Sequence, residues 1–183
     1  MFQVSAFSVR YAVRKPCSVF RCPAEMANVS DGPRRASAVG MAAKSFDELR
    51  AWKSARTFKL AVYRLCGTGR LAGDFALRDQ LRSAAASAPS QIAEGFGRFN
   101  PADFARFLGI AKASLIEAQN HLQDAVDRQH ITEDVRREHH ALADIALRDV
   151  IAFIEYLQSE QAQQNAKRAR EKRQARRNEN PQP

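Results

Sequence analysis

Cysteine is scarce in this 183-residue chain: there are three, and none follows Cys66. An odd count with none from residue 67 onward argues against a disulfide framework and fits a reducing, cytosolic setting. Cys17 and Cys22 are followed by no Cys/His pair at zinc spacing, so no metal is expected there. No run approaches the ~18 consecutive apolar residues of a membrane span, and Arg10 interrupts the N-terminal apolar stretch that a secretory signal would need. Catalytic punctuation is missing as well: there is no nucleophile elbow, phosphate loop or catalytic-cysteine context. Gly95-x-Gly97 is followed by Asn100 rather than glycine and no strand precedes it, which excludes a dinucleotide fingerprint. Di-iron bundles need Glu-x-x-His on facing helices. Here Glu117 and His121 are four apart, and Glu138, His139 and His140 lack the spacing. No cofactor is expected, and His121 reads as a packing residue.

Acid is scarce at the two ends. The chain carries 29 Lys and Arg against 20 Asp and Glu, a formal charge of +9. Residues 1–45 hold 7 basic and 2 acidic side chains, residues 46–158 hold 15 of each, and residues 159–183 hold 7 and 3. The basicity thus lies in the termini around a neutral centre, a weaker nucleic-acid signal than a basic domain.

Residues 1–44 show no sustained period and are punctuated by Pro16, Pro23, Gly32, Pro33 and Gly40. They read as a disordered segment, either an Arg-rich targeting peptide or an extension upstream of a true start at Met26 or Met41; the second reading is preferred. Periodicity begins at Ser45. Phe46, Leu49, Trp52, Ala55, Phe58, Val62 and Leu65 recur at helical steps, with Ser45 as N-cap and Asp47 and Glu48 in the first turn. Gly67, Gly69 and Gly73 make a loop. A second helix is expected from about Asp74 to Glu94, with Pro89 kinking or tightening its last turns. Asn100-Pro101-Ala102-Asp103 is a helix start with asparagine as cap and proline at the first position. The stripe from Phe104 to Val126 follows it. A fourth helix is expected from near Thr132 to Gln158 with two apolar stripes: Leu142, Ile145, Phe153 and Tyr156, and Leu147, Val150, Ile154 and Leu157. One stripe serves the core, and the other calls for a second copy of the chain. Beyond Ser159 the sequence is Gln-rich and basic and is expected to prolong helix four into solvent. Four amphipathic helices with short loops make an all-α, antiparallel up-down-up-down four-helix bundle over residues 45–158, with a basic tail over 159–183.

Residues 83–98 are the most distinctive stretch. Ala84, Ala85, Ala86, Ser87 and Ala88 allow close helix approach, and Gly95 is suited to a left-handed helix end. Glu94 and Arg98 are spaced to pair. The block Ser87-Ala88-Pro89-Ser90-Gln91-Ile92-Ala93-Glu94-Gly95, followed by Gly97 and Arg98, resembles the Ser-Ile-Pro-Ser-Asn-Ile-Ala-Glu-Gly hallmark of a family of bacterial helical bundles. That family was first noticed as proteins encoded in intervening sequences of 23S ribosomal RNA genes. Ala88 and Gln91 depart from it. Phe46-x-x-Leu49-x-x-Trp52 and Phe104-x-x-Phe107-Leu108-x-Ile110-Ala111-x-x-Ser114-Leu115-x-Glu117 resemble its other blocks, with Ala118 and Gln119 departing from the usual Leu-Glu. The resemblance covers about 113 of the 183 residues. It implies a homopentameric all-α bundle without established enzymatic activity, and a start near Met41. It also extends to the accessory variability proteins of diversity-generating retroelements, which are pentameric and bind nucleic acid and a reverse transcriptase through basic surface. A neutral bundle supports that role only where its arginines gather on one face.

The expected function is a non-enzymatic oligomeric scaffold or adaptor that binds RNA or DNA weakly, with no membrane partner. Candidate phosphate contacts are Arg78 and Arg82 on helix two, Arg106 and Lys112 on helix three, and Lys167, Arg168, Arg170, Lys172, Arg173, Arg176 and Arg177 in the tail. The alternative is a small-molecule or metal-binding enzyme with Ser87, Ser90, Gln91 and Glu94 at a subunit junction.

Overall fold

The computed structural model describes residues 43–98 and 100–179. The N-terminal extension, with Cys17, Cys22, Met26 and Met41, lies outside the described residues, as does the Asn/Pro-rich end at 180–183. The described residues are helical throughout, with no strand among them: α1 (Arg50–Cys66), α2 (Phe75–Phe96), α3 (Pro101–Asp127), α4 (Glu133–Gln158) and α5 (Glu160–Glu179). Two 3-10 turns, Phe46–Glu48 and Leu71–Gly73, precede α1 and α2.

The chain enters α1 differently from the sequence expectation. Ser45 makes no side-chain cap, and an extended Leu49 (ψ 129°) separates the first turn from the helix. The break turns Leu49 into the core and stands the Phe46 ring edge-on to Trp52, 5.3 Å between centroids. Glu48 instead accepts the Lys44 backbone N–H at 2.9 Å. The starts of α2, α3 and α4 follow their sequence signals. Asp74 Oδ1 accepts from the Leu77 N–H at 3.1 Å, Asn100 Oδ1 from Ala102 at 3.2 Å, and Thr132 Oγ1 from Val135 at 3.4 Å. Each satisfies an otherwise orphaned first-turn donor.

Pro89 does not end α2. The proline deprives the Ala85 carbonyl of its helical donor, yet the helix continues to Phe96 because Ala84, Ala85, Ala88 and Pro89 are all packed against neighbours. Gly95 is not the left-handed terminator expected of it; it lies inside the last helical turn, and Gly97 caps the helix at φ −70°. The expected continuation of helix four is also corrected. Ser159 is extended (ψ 150°) and starts a new helix, its Oγ accepting from the Ala162 N–H at 3.3 Å and donating to the Tyr156 carbonyl at 2.6 Å. Ala162 is fully buried and seats the first turn of α5.

Packing closes a circuit in which α1 touches α2 and α4, and α3 touches α2 and α4. Starts meet ends around it. Asp74 at the head of α2 bonds Arg128 and His130 just past α3, and Arg50 at the head of α1 reaches Asp149 late in α4 at 2.5 Å. Phe58, Val62, Leu81, Ile92, Leu108, Leu115, Leu122 and Val150 fill the centre. Each such burial contributes about 1.5–3 kcal/mol before chain entropy is charged against it. On α4 the deepest line runs through Ala143, Ala146, Val150 and Leu157, taking Val150 and Leu157 from the second expected stripe and adding two alanines that neither stripe included. Leu142, Leu147, Phe153, Ile154 and Tyr156 flank it half-buried, and Ile145 is exposed. Alanines lie deepest because α4 is drawn close to its neighbours.

Candidate functional site

The signature stretch forms the joint between α2 and α3. Ser114 Oγ donates to the Ile110 carbonyl at 3.1 Å, which uses its one hydrogen, so Ser87 Oγ at 2.8 Å is the donor to Ser114. Ser90 donates back to the Ala86 carbonyl of its own helix at 3.1 Å. Ile92 is fully buried, Ala93 and Gln91 are half-buried, and Glu94 takes the Arg98 guanidinium at 2.8 Å in the open. Ser87 therefore bonds across to α3 while Ser90 and Glu94 bond within their own helix end, and with Gln91 the four stand at i, i+3, i+4 and i+7 along one face of α2. A Cβ on Gly95 would meet Phe104 Cδ2 at 2.5 Å and Phe107 Cβ at 2.8 Å, so the bare backbone is what lets α3 begin so close.

The basic candidates divide. Arg78 and Arg82 share a face of α2: Arg78 bonds Asp79 at 2.8 Å and lies over the Phe75 ring at 4.7 Å, while Arg82 lies over Tyr63 of α1 at 4.9 Å. Asp79 is pulled below its ordinary carboxylate range by the Arg78 hydrogen bond, and Arg78 is raised in turn. Arg106 lies over Phe107 at 4.8 Å, and Lys112, six residues on, projects from a different side of α3. Lys167, Arg168, Arg170 and Lys172 are exposed on α5, and Arg173, Arg176 and Arg177 belong to the same helix.

Counting charge over the whole bundle missed its distribution. α1 holds Arg50, Lys53, Arg56, Lys59 and Arg64 and no acid. α3 holds four acids against two bases, and α4 six against three. Zero net charge conceals a basic α1 side and an acidic α3–α4 side, a split that a helix-by-helix count of the sequence would have found.

Burial pushes the Cys66 thiol up to about 11, which suppresses the thiolate. Asp74 is held at about 2, first by the Leu77 N–H and then by His130 and Arg128. His121 sits between Asp124 at 3.5 Å and Glu117 at 3.7 Å, beside a shallow groove of about 440 Å³ shared with Phe75, Gln80 and Arg128. Among the described residues no three His, Cys, Asp or Glu side chains converge as a metal site, and no helix is long and apolar enough to cross a membrane.

Comparison with known proteins places the chain. It is similar over 60% of its length, at 16% identity and a TM-score of 0.49, to 99% of a protein of unknown function from the S23 ribosomal protein family of Bacteroides thetaiotaomicron VPI-5482. No curated protein matches it. Residues 47–152, from the first turn through most of α4, match the 23S rRNA-intervening sequence protein family. The signature joint lies within that match, and the chain belongs to the 23S rRNA-intervening sequence protein family.

Proposed function

We propose that the chain is a non-enzymatic scaffold or adaptor of the reducing cytoplasm, an antiparallel up-down-up-down four-helix bundle over residues 45–158. We propose further that it self-associates and binds RNA or DNA weakly, without sequence preference, through its basic tail over 159–183. The meeting of helix starts with helix ends supports the antiparallel arrangement. Exposed Ile110, Ile116, Ile145 and Ile151 on α3 and α4 supply apolar surface for a second copy, and the family resemblance implies five copies.

The observation that carries the nucleic-acid reading is α5. It is a helix of charged and amide side chains that gives the core little beyond Ala162 and presents Lys167, Arg168, Arg170 and Lys172 to solvent. Such a helix is electrostatic surface without a packing duty. Each phosphate neutralised releases counterions, so log affinity falls with log salt by roughly 0.7–0.9 per contact.

The test is binding of a 20-base-pair RNA duplex by the full chain and by a chain ending at Gln164, titrated from 50 to 300 mM salt. A steep slope in the full chain that flattens in the truncation supports the reading; equal slopes overturn it. Native mass at the same salts tests self-association, which a stable monomer overturns.

A further inference from the structure

Two stripes that combine aromatic and cationic side chains meet on one side of the bundle. On α1, Trp52, Arg56, Lys59 and Tyr63 follow at i, i+4, i+7 and i+11, one face of a helix. Arg56 lies 5.8 Å from the Trp52 ring centre, and the Lys59 ammonium 5.8 Å from that of Tyr63. On α2, Phe75, Arg78 and Arg82 follow at i, i+3 and i+7. Arg82, 4.9 Å over Tyr63, joins the two stripes. Two of the rings are not core residues, Phe75 being 65% exposed and Tyr63 37%, while Trp52 is half-buried against the core. Of the carboxylates near these rings, Asp79 is held by Arg78 and Asp74 by Arg128 and His130, while Asp124 lines the groove beside Phe75 next to His121. α1 carries no acid at all.

We infer that this α1–α2 face is a docking surface for single-stranded nucleic acid, with bases stacking on Tyr63 and Phe75 and phosphates held by Arg56, Lys59 and Arg82. Its nucleic-acid class follows the function proposed above, but the surface is separate from the tail and has different selectivity. The spacing favours this occupant. Bare charge attracts any polyanion, whereas interleaved rings and guanidinium planes give an unstacked base a π-face next to the cation that takes its phosphate. A duplex has no free base faces and gains only the charge. The 17 residues of α1 span about 25 Å, room for several nucleotides.

Trp52 is the chain's one tryptophan and lies in the stripe, so it reports occupancy directly. Its fluorescence is followed while dT15, U15 and a 15-base-pair duplex are titrated into the full chain, into Tyr63→Ala/Phe75→Ala and into the chain ending at Gln164. Circular dichroism and melting temperature verify the fold of each, and Arg56→Gln/Lys59→Gln is a second variant that keeps the rings. The expected result is Trp52 quenching by both single strands and tighter binding of single strand than duplex. Loss of the two rings weakens single-strand binding by about tenfold or more and leaves duplex binding unchanged, whereas Arg56→Gln/Lys59→Gln weakens both. Equal affinity of the double-alanine and parent chains for single strands overturns the inference while leaving the tail reading intact. An effect confined to the chain ending at Gln164 does the same. A fall in native mass of the double-alanine variant without loss of single-strand binding shows that a second copy occupies this face, and also overturns it.

Discussion

At the scale of the single residue, two glycines separate packing from conformation. Gly95 and Gly109 both sit inside helices, yet a Cβ at Gly95 would strike Phe104 and Phe107, and one at Gly109 would meet nothing within 4 Å. Gly95→Ala should cost about 1–3 kcal/mol, as overpacking does. Gly109→Ala should gain about 0.5–1 kcal/mol from helix propensity. Chemical denaturation of both variants measures the difference, and destabilisation of equal size in both would refute the close-approach account. The serine pair makes a second case. Ser114→Ala leaves the Ser87 hydroxyl without its acceptor and should cost about 1–2 kcal/mol, while Ser87→Ala/Ser114→Ala should cost less than the two single changes summed. A strictly additive cycle would remove that bond from the account. Gly95 was legible in the sequence as a residue that had to be glycine, but not for the right reason. A helix terminus and a crowded helix crossing both demand glycine, and only the partner's position, Phe104 nine residues on, distinguishes them.

At the scale of the element, what the chain encoded locally was readable and what tertiary contact decides was not. Asp74, Asn100 and Thr132 were visible as starts because a cap needs only its own next three residues. Ser45 failed as a cap where Leu49 turns into the core, and Ser159 succeeded as one where Ala162 is buried, and burial is settled by packing rather than by the cap residue itself. The Asp74 cap also does more than its local signal stated, since it ties α2 to Arg128 and His130 beyond α3. Those bonds and the Leu77 N–H hold the folded carboxyl at about 2, below its ordinary 3.8. A depressed carboxylate contributes stability above its unfolded pKa and loses it as pH falls through the folded value. Asp74's contribution should therefore be whole above about pH 5 and fade between pH 4 and 2. Melting temperatures of the parent chain and Asp74→Asn, taken from pH 7 to 2, should differ most at neutral pH and converge at the acid end. A constant difference across that range would show that the carboxylate's charge plays no part in the cap.

At the scale of the whole molecule, the placement of charge matters more than its total. Lys53, Arg56 and Lys59 stand three apart on α1, so each repels the next, and no acid on that helix offsets them. A fold that needed only stability would be improved by breaking the row, as α4 does where Glu133 and Asp134 face Arg136 and Arg137. Arg56→Glu sets one acid between two lysines. At 20 mM salt it should match or exceed the parent melting temperature by about a degree or two, with the advantage vanishing at 500 mM, where the Debye length falls to roughly 4 Å. The same variant should bind dT15 more weakly at every salt. Stability gained where affinity is lost would mean that the basic row is kept for a partner at the fold's expense. A clear loss of stability at low salt would instead mean that Arg56 serves the helix through its contact with Trp52. The outcome reaches past α1, because a bundle with a basic side and an acidic side can present one to nucleic acid and keep the other clear of it.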